Sequence, residues 1–243
     1  MIKIISFLKL FFLILWTLFI IGILIITLIL TFHPTWVLAI VRKIWAPFVL
    51  FVMQINLKVE GLENMDRSKN YIIMSNHTSY LDIPILLVAV PKNIYFIAKK
   101  ELLRIPFFGW MMWLLGMIFI DRSNPKKAVR SMKIAALKLK KGKNVLVFPE
   151  GTFADDGKLL PFKKGTFHIA IKAKMPILPV VIKGASQVWS GENLLYLKKG
   201  DVTVKFGEVF EASSPSNKDS IDIVEALKIE SETRIKELLT NLG

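Results

Sequence analysis

Tyr71-Ile72-Ile73-Met74-Ser75-Asn76-His77-Thr78-Ser79-Tyr80-Leu81-Asp82-Ile83-Pro84-Ile85-Leu86-Leu87-Val88-Ala89 decides the fold class. Residues 71–74 form a short apolar run with two β-branched isoleucines, which reads as a buried strand. A polar heptapeptide, 76–82, follows it. The apolar run 83–89 then carries Pro84 near its start, where the first turn of a helix tolerates proline and later turns do not. Strand, polar loop and helix make one α/β unit. The same alternation recurs downstream, with strands expected over 57–59, 94–97, 117–120, 145–148, 177–182 and 202–206. Helices are expected over 107–115, 125–141, 166–174 and 218–242, with a loop at 213–217 before the last. Near-continuous apolar strands separated by helices predict an α/β domain, residues 56–243, with a mixed, mostly parallel sheet flanked by helices.

Upstream the pattern is different. Residues 10–32 are 23 residues without a charge, about 35 Å as a helix and long enough to cross a hydrocarbon core. The run is too long for a secretory signal, and no small-residue cleavage site follows it. The chain turns at His33-Pro34-Thr35, and a second apolar stretch begins that Arg42 and Lys43 interrupt. Its uncharged part, 44–55, has 12 residues including Pro47, too short to span. Either 10–32 is a single span, or the two stretches form a helical hairpin in one leaflet. The hairpin is the expectation for residues 1–55, because it returns the chain to its starting side and the second stretch suits an interface.

Composition agrees with a chain that meets lipid. Of 243 residues 53% are hydrophobic, the mean hydropathy is +0.49, and 33 Lys and Arg against 19 Asp and Glu give a net charge of +14. That excludes a disordered protein. No cysteine is present, so disulfides, thiolate metal sites and a cysteine nucleophile are excluded. No GxGxxG, GxxxxGK[ST] or GxSxG occurs, which argues against a dinucleotide site, a P-loop and a serine elbow. The three histidines, His33, His77 and His168, have no metal-ligand spacing, so no metal is expected. His33 reads as a turn residue and His168 as an ordinary helix residue. Residues 125–143 carry eight cations and no acid, a solvated helix face or a surface for anionic headgroups or an acidic carrier protein. Nucleic acid is not an expected partner, since no motif accompanies the charge.

One constellation remains. His77 and Asp82 are five apart and would diverge within one helix, so they meet only if His77 lies in the loop and Asp82 in the first helical turn. Asp82 could then hold one imidazole nitrogen and leave the other as a base. Alternatively Ser79-x-x-Asp82 is a capping box and His77 an ordinary strand-end residue. The location favours chemistry, since ligands of open α/β sheets bind at the carboxyl ends of strands. Other strand ends carry Asp121-Arg122, then Phe148-Pro149-Glu150-Gly151-Thr152, and Lys163-Lys164-Gly165 opens a helix. Cations near a helix N-terminus suit a phosphate.

The ordered set resembles the H-x4-D glycerolipid acyltransferases, in particular the PlsC-type 1-acylglycerol-3-phosphate acyltransferases. Residues 76–82 match the first motif, GMIFIDR (116–122) the second, FPEGT (148–152) the third and LPVV (178–181) the fourth. The resemblance implies a membrane-bound enzyme that moves an acyl group to the 2-hydroxyl of lysophosphatidic acid, giving phosphatidic acid for phospholipid biosynthesis. The donor would be a thioester of coenzyme A or acyl carrier protein, with no further cofactor, and the site would face the cytoplasm. His77 would be the general base and Asp82 its orienting partner. Arg122 would hold the acceptor phosphate, and Glu150 and Gly151, with Thr152 beside them, would position the glycerol. With neither Cys nor serine elbow, transfer should be direct, and Lys100 is a candidate cation for the oxyanion. The third motif usually continues with Arg and Ser, where this chain has Phe153 and Ala154. Lys163 or Lys164 could replace the missing cation, or the acceptor could be a different lysophospholipid. A non-catalytic lipid-binding protein is the rival class.

Overall fold

The computed structural model describes residues 2–121, 124, 127, 131, 134, 136–137, 142–154, 158–190, 195–212 and 220–242. Seven strands form one sheet: β1 (Ile55–Glu60), β2 (Ile72–Ser75), β3 (Ile94–Lys99), β4 (Ile118–Ile120), β5 (Asn144–Val147), β6 (Ile177–Lys183) and β7 (Gly200–Phe206). Their spatial order is β1-β7-β6-β2-β5-β3-β4. Every pairing is parallel except β6 with β7. The mixed, mostly parallel sheet expected from the apolar runs is therefore present. Strands β2 and β5 are buried at every position, as central strands covered on both faces must be.

The helices around the sheet are α4 (Asp82–Ala89), α5 (Phe108–Leu114), α6 (Lys164–Ala173), the short α7 (Ala185–Val188) and α8 (Ser220–Thr240). The cation-rich stretch expected as a helix over 125–141 lies largely outside the described residues. Gly109 in α5 has a packing reason. A Cβ there would sit 2.2 Å from the Leu102 carbonyl oxygen, in the 3-10 turn against which α5 lies.

The N-terminal segment is a hairpin of helices. Its first arm, α1, runs Ile2–Thr31. The second runs α2 (Pro34–Ile40), one π-helical turn (Val41–Trp45) and α3 (Ala46–Met53). The arms are antiparallel: Lys9 Nζ reaches Gln54 Oε1 at 3.3 Å, and Trp45 Nε1 donates to Thr17 Oγ1 at 3.1 Å. Phe48 packs on Trp16 with ring centroids 4.1 Å apart. The second arm departs from expectation. Arg42 and Lys43 do not end it, and helical structure continues for 20 residues from Pro34 to Met53. One π-helical turn carries the two cations, and Pro47 falls in the first turn of the next α-helical segment. Both arms are thus long and apolar enough to cross a membrane by length and composition.

The hairpin also packs on the sheet domain. Its second arm lies against α4, the helix that follows the His77 loop.

Candidate active site

Strands β2 and β5 are parallel neighbours, so the loops leaving their carboxyl ends run side by side. These are the loops that carry His77 and Glu150. Asn76 starts the first loop. Its side-chain amide exchanges two hydrogen bonds with the Ile182 backbone, donating from Nδ2 at 2.9 Å and accepting at Oδ1 at 2.8 Å. It mimics one more rung of the β2–β6 ladder and fixes where the loop begins.

His77 is then held at three points. Its backbone N–H donates to Glu150 Oε1 at 2.7 Å, and its carbonyl accepts from the Ala154 N–H at 2.8 Å. Its ring Nδ1 lies 2.8 Å from Asp82 Oδ2. The same oxygen accepts the N–H groups of Thr78 at 2.7 Å and Ser79 at 2.9 Å. Asp82 sits in the first turn of α4, is 0% exposed, and wraps the loop about its own carboxylate. The capping box forms in part: Asp82 accepts the Ser79 N–H, and Ser79 Oγ accepts the N–H of Leu81 at 3.1 Å rather than that of Asp82, while donating to the Trp189 carbonyl at 2.6 Å. With Nδ1 turned to Asp82, Nε2 is the nitrogen that can meet an incoming hydroxyl.

Glu150 is buried and accepts at both oxygens, from His77 N–H and from Leu160 N–H at 2.8 Å. Burial pushes its carboxyl up to about 7. The two backbone donors pull the other way, and the negative charge of Asp82 adds to the rise. Gly151 turns the loop at φ +74°, a left-handed conformation that suits glycine.

A cavity of about 720 Å³ opens in front of His77. Phe148, Gly151, Thr152 and Lys163 border it near the imidazole. Away from the imidazole its wall is apolar, built by Ile20, Ile21 and Leu24 of α1 and by Met111 and Leu115 of the α5 region. The participation of α1 was not readable from the sequence, because no local pattern says which turn of a 30-residue apolar helix faces a distant strand end.

The remaining expected site residues separate. Lys163 lines the cavity just before α6. Lys164, one residue on, points to α8 and pairs with Glu225 at 2.9 Å. Lys100 pairs with Asp121 at 3.1 Å and is not among the cavity's lining residues, whereas its neighbour Lys99 is. Arg122 lies outside the described residues. His33 precedes α2 at the hairpin turn, and His168 is exposed on α6. Sequence reasoning missed the rings around His77. Phe148 stacks on the imidazole at 3.9 Å and 9°, and Phe153 meets it at 4.1 Å and 39°.

Comparison with known proteins agrees with this arrangement. The family model Acyltransferase matches residues 56–183. The chain is 42% identical over 142 residues to a 1-acyl-sn-glycerol-3-phosphate acyltransferase of Saccharomyces cerevisiae, an alignment covering 57% of this chain and 46% of that one. It is 38% identical over 159 residues to the protein of that name from Cocos nucifera, covering 65% and 51%. The chain thus spans about half the length of these relatives. The crystal structure of the 1-acyl-sn-glycerophosphate (LPA) acyltransferase PlsC from Thermotoga maritima superposes with a TM-score of 0.80 at 30% identity, over 98% of both chains. With the family model covering more than half of its length, and the His77 and Glu150 loops side by side at the ends of β2 and β5, the chain belongs to the Acyltransferase family.

Proposed function

We propose that the protein transfers a fatty acyl group from an acyl thioester to the 2-hydroxyl of lysophosphatidic acid, giving phosphatidic acid. The observation that carries this is the 2.8 Å contact between His77 Nδ1 and a fully buried Asp82 at the mouth of an apolar cavity. His77 Nε2 takes the proton of the acceptor hydroxyl as its oxygen attacks the thioester carbonyl. The tetrahedral intermediate collapses with cleavage of the C–S bond, and the thiolate leaves with the proton held by the imidazolium. Asp82 keeps the imidazole in one tautomer throughout. Lys163, on the cavity wall, supplies the cation for the acceptor phosphate where Phe153 replaces the usual arginine. The apolar part of the cavity has the volume and lining to take an acyl chain. The names of the relatives support lysophosphatidic acid as acceptor.

The enzyme works at a membrane. Its hairpin exposes Ile4, Leu30 and Phe51 at 67%, 75% and 77%, surface that water does not favour. Trp110 and Trp113 on the outer side of α5 extend the apolar surface, in the manner of interfacial aromatics. A thioester of coenzyme A or acyl carrier protein is made in the cytoplasm, so the site faces that side.

The test is acyl transfer in detergent with labelled acyl-CoA and a panel of lysophospholipids, repeated with acyl carrier protein as donor. Activity on lysophosphatidic acid that drops roughly 1000-fold in His77→Ala, with folding retained, is the expected result. Preference for another lysolipid keeps the mechanism and moves the acceptor. Equal activity in wild type and variant overturns the assignment of His77.

A further inference from the structure

Five aromatic rings run in a continuous series through the site: Trp189, Tyr80, Phe153, the imidazole of His77 and Phe148. The successive centroid separations are 5.1, 4.9, 4.1 and 3.9 Å. Phe148 lies nearly parallel to the imidazole and occupies one face. A centroid separation of 4.1 Å is too short for an approach to the ring's edge, where aromatic contacts lie at about 5 Å, and Phe148 fills the first face. Phe153 therefore covers the opposite face.

We infer that Phe153 is a positioning residue that clamps the His77 imidazole against Phe148. The inference rests on the reading of His77 as the base. The Asp82 hydrogen bond fixes one ring atom but leaves the ring free to swing about it. A plate on each face removes that freedom and holds Nε2 toward the cavity. The two π faces also interact favourably with the imidazolium that exists only after the proton has been taken. The clamp is built into the loop itself. The Ala154 N–H, next in the chain, binds the His77 carbonyl, and Glu150 in the same loop binds the His77 N–H. Tyr80 braces Phe153 from behind, and Trp189 braces Tyr80, with the Trp189 carbonyl bonded to Ser79 of the His77 loop.

Among the described residues, the charged and titratable groups beside the imidazole and its clamp are Asp82 from α4, Glu150 from the loop after β5 and Tyr80 through Phe153, with Lys163 on the cavity wall. Phe153→Leu leaves all of them in place and keeps an apolar plug of similar size. Its kcat should fall about tenfold, with KM for donor and acceptor within about twofold. Phe153→Tyr should restore kcat.

A readout independent of turnover is the His77 ring resonance. The chain has three histidines, so the Cε1–H signal is assigned by its loss in His77→Asn. In the wild type, ring currents from two faces shift it upfield, and Phe153→Leu should move it downfield. An unmoved resonance, or a change in KM alone, overturns the clamp. If the wild type transfers no acyl group, the function reading fails while the resonance still decides the clamp.

Discussion

The two ends of the cavity are built by different rules. At the His77 end each group is held by named bonds: Asp82 accepts three hydrogen bonds at one oxygen, and Glu150 accepts one at each. At the other end Ile20, Ile21, Leu24 and Met111 offer the cavity only apolar surface. Hydrogen bonds are directional and exact a desolvation cost when broken, so the first end tolerates little change. Apolar contacts are non-directional, so the second tolerates substitution and responds chiefly to size. The difference teaches that reaction and chain selection can be altered separately.

The largest effect should come from a change of no size at all. Asp82→Asn can keep the three bonds at its amide oxygen, since the other carboxylate oxygen has no partner, but it brings no negative charge. The imidazolium formed in the reaction loses its counter-charge, and kcat should fall roughly 1000-fold in a steady-state assay. A loss below tenfold would remove the contrast between the two ends.

The next test is thermodynamic. Glu150 has its carboxyl raised from 4.5 to about 7 in the folded protein. The folded state therefore binds the proton more tightly than the unfolded state does. Its contribution to stability is fully present below about pH 4.5 and is lost as pH rises through about 7. Chemical unfolding at pH 5 and pH 8 should differ by roughly 2–3 kcal/mol more in the wild type than in Glu150→Gln. An identical pH dependence in both would show that Glu150 does not link protonation to folding.

At the apolar end, Leu24→Trp fills space without touching a hydrogen bond. The kcat/KM ratio of long-chain to short-chain acyl thioesters should fall about tenfold, while the short-chain rate stays within about twofold. A uniform loss on all chains would mean the two ends are not separable. The smallest effect is expected at neighbouring lysines. Lys163→Ala should raise the acceptor KM several-fold, whereas Lys164→Ala breaks only an exposed pair with Glu225 and should cost less than about 0.5 kcal/mol of stability and no activity.

Much of this was legible in the chain, for identifiable reasons. All seven strands were readable, the central β2, β5 and β6 because burial on both faces leaves apolar runs, and β7 because it buries alternate residues. Their observed ends differ from the expected ones by at most two residues, as at Gly200 in β7. The placement of Asp82 in the first turn of α4 followed from geometry and Pro84. What stayed hidden depends on contacts between distant segments. Lys163 and Lys164 look alike in sequence, and a helical start sends them in different directions. Lys100 found Asp121, 21 residues away. Phe148, Phe153, Tyr80 and Trp189 are ordinary aromatics until three separate pieces of chain bring them into one series with the imidazole. The 3-10 turns at Leu62–Asn64 and Lys100–Arg104 carry no periodicity to read.

The presence of α1 residues in the cavity wall has a consequence for inheritance. An anchor that only tethers can be exchanged for another without loss, and lineages can trade such parts freely. Here Ile20, Ile21 and Leu24 belong at once to the anchor and to the reaction vessel. A sheet domain recombined onto a foreign anchor would keep His77 and Asp82 and lose one side of the space in front of them. The two parts must therefore descend together, and substitutions in α1 should be answered by compensating ones in α5 across the shared cavity.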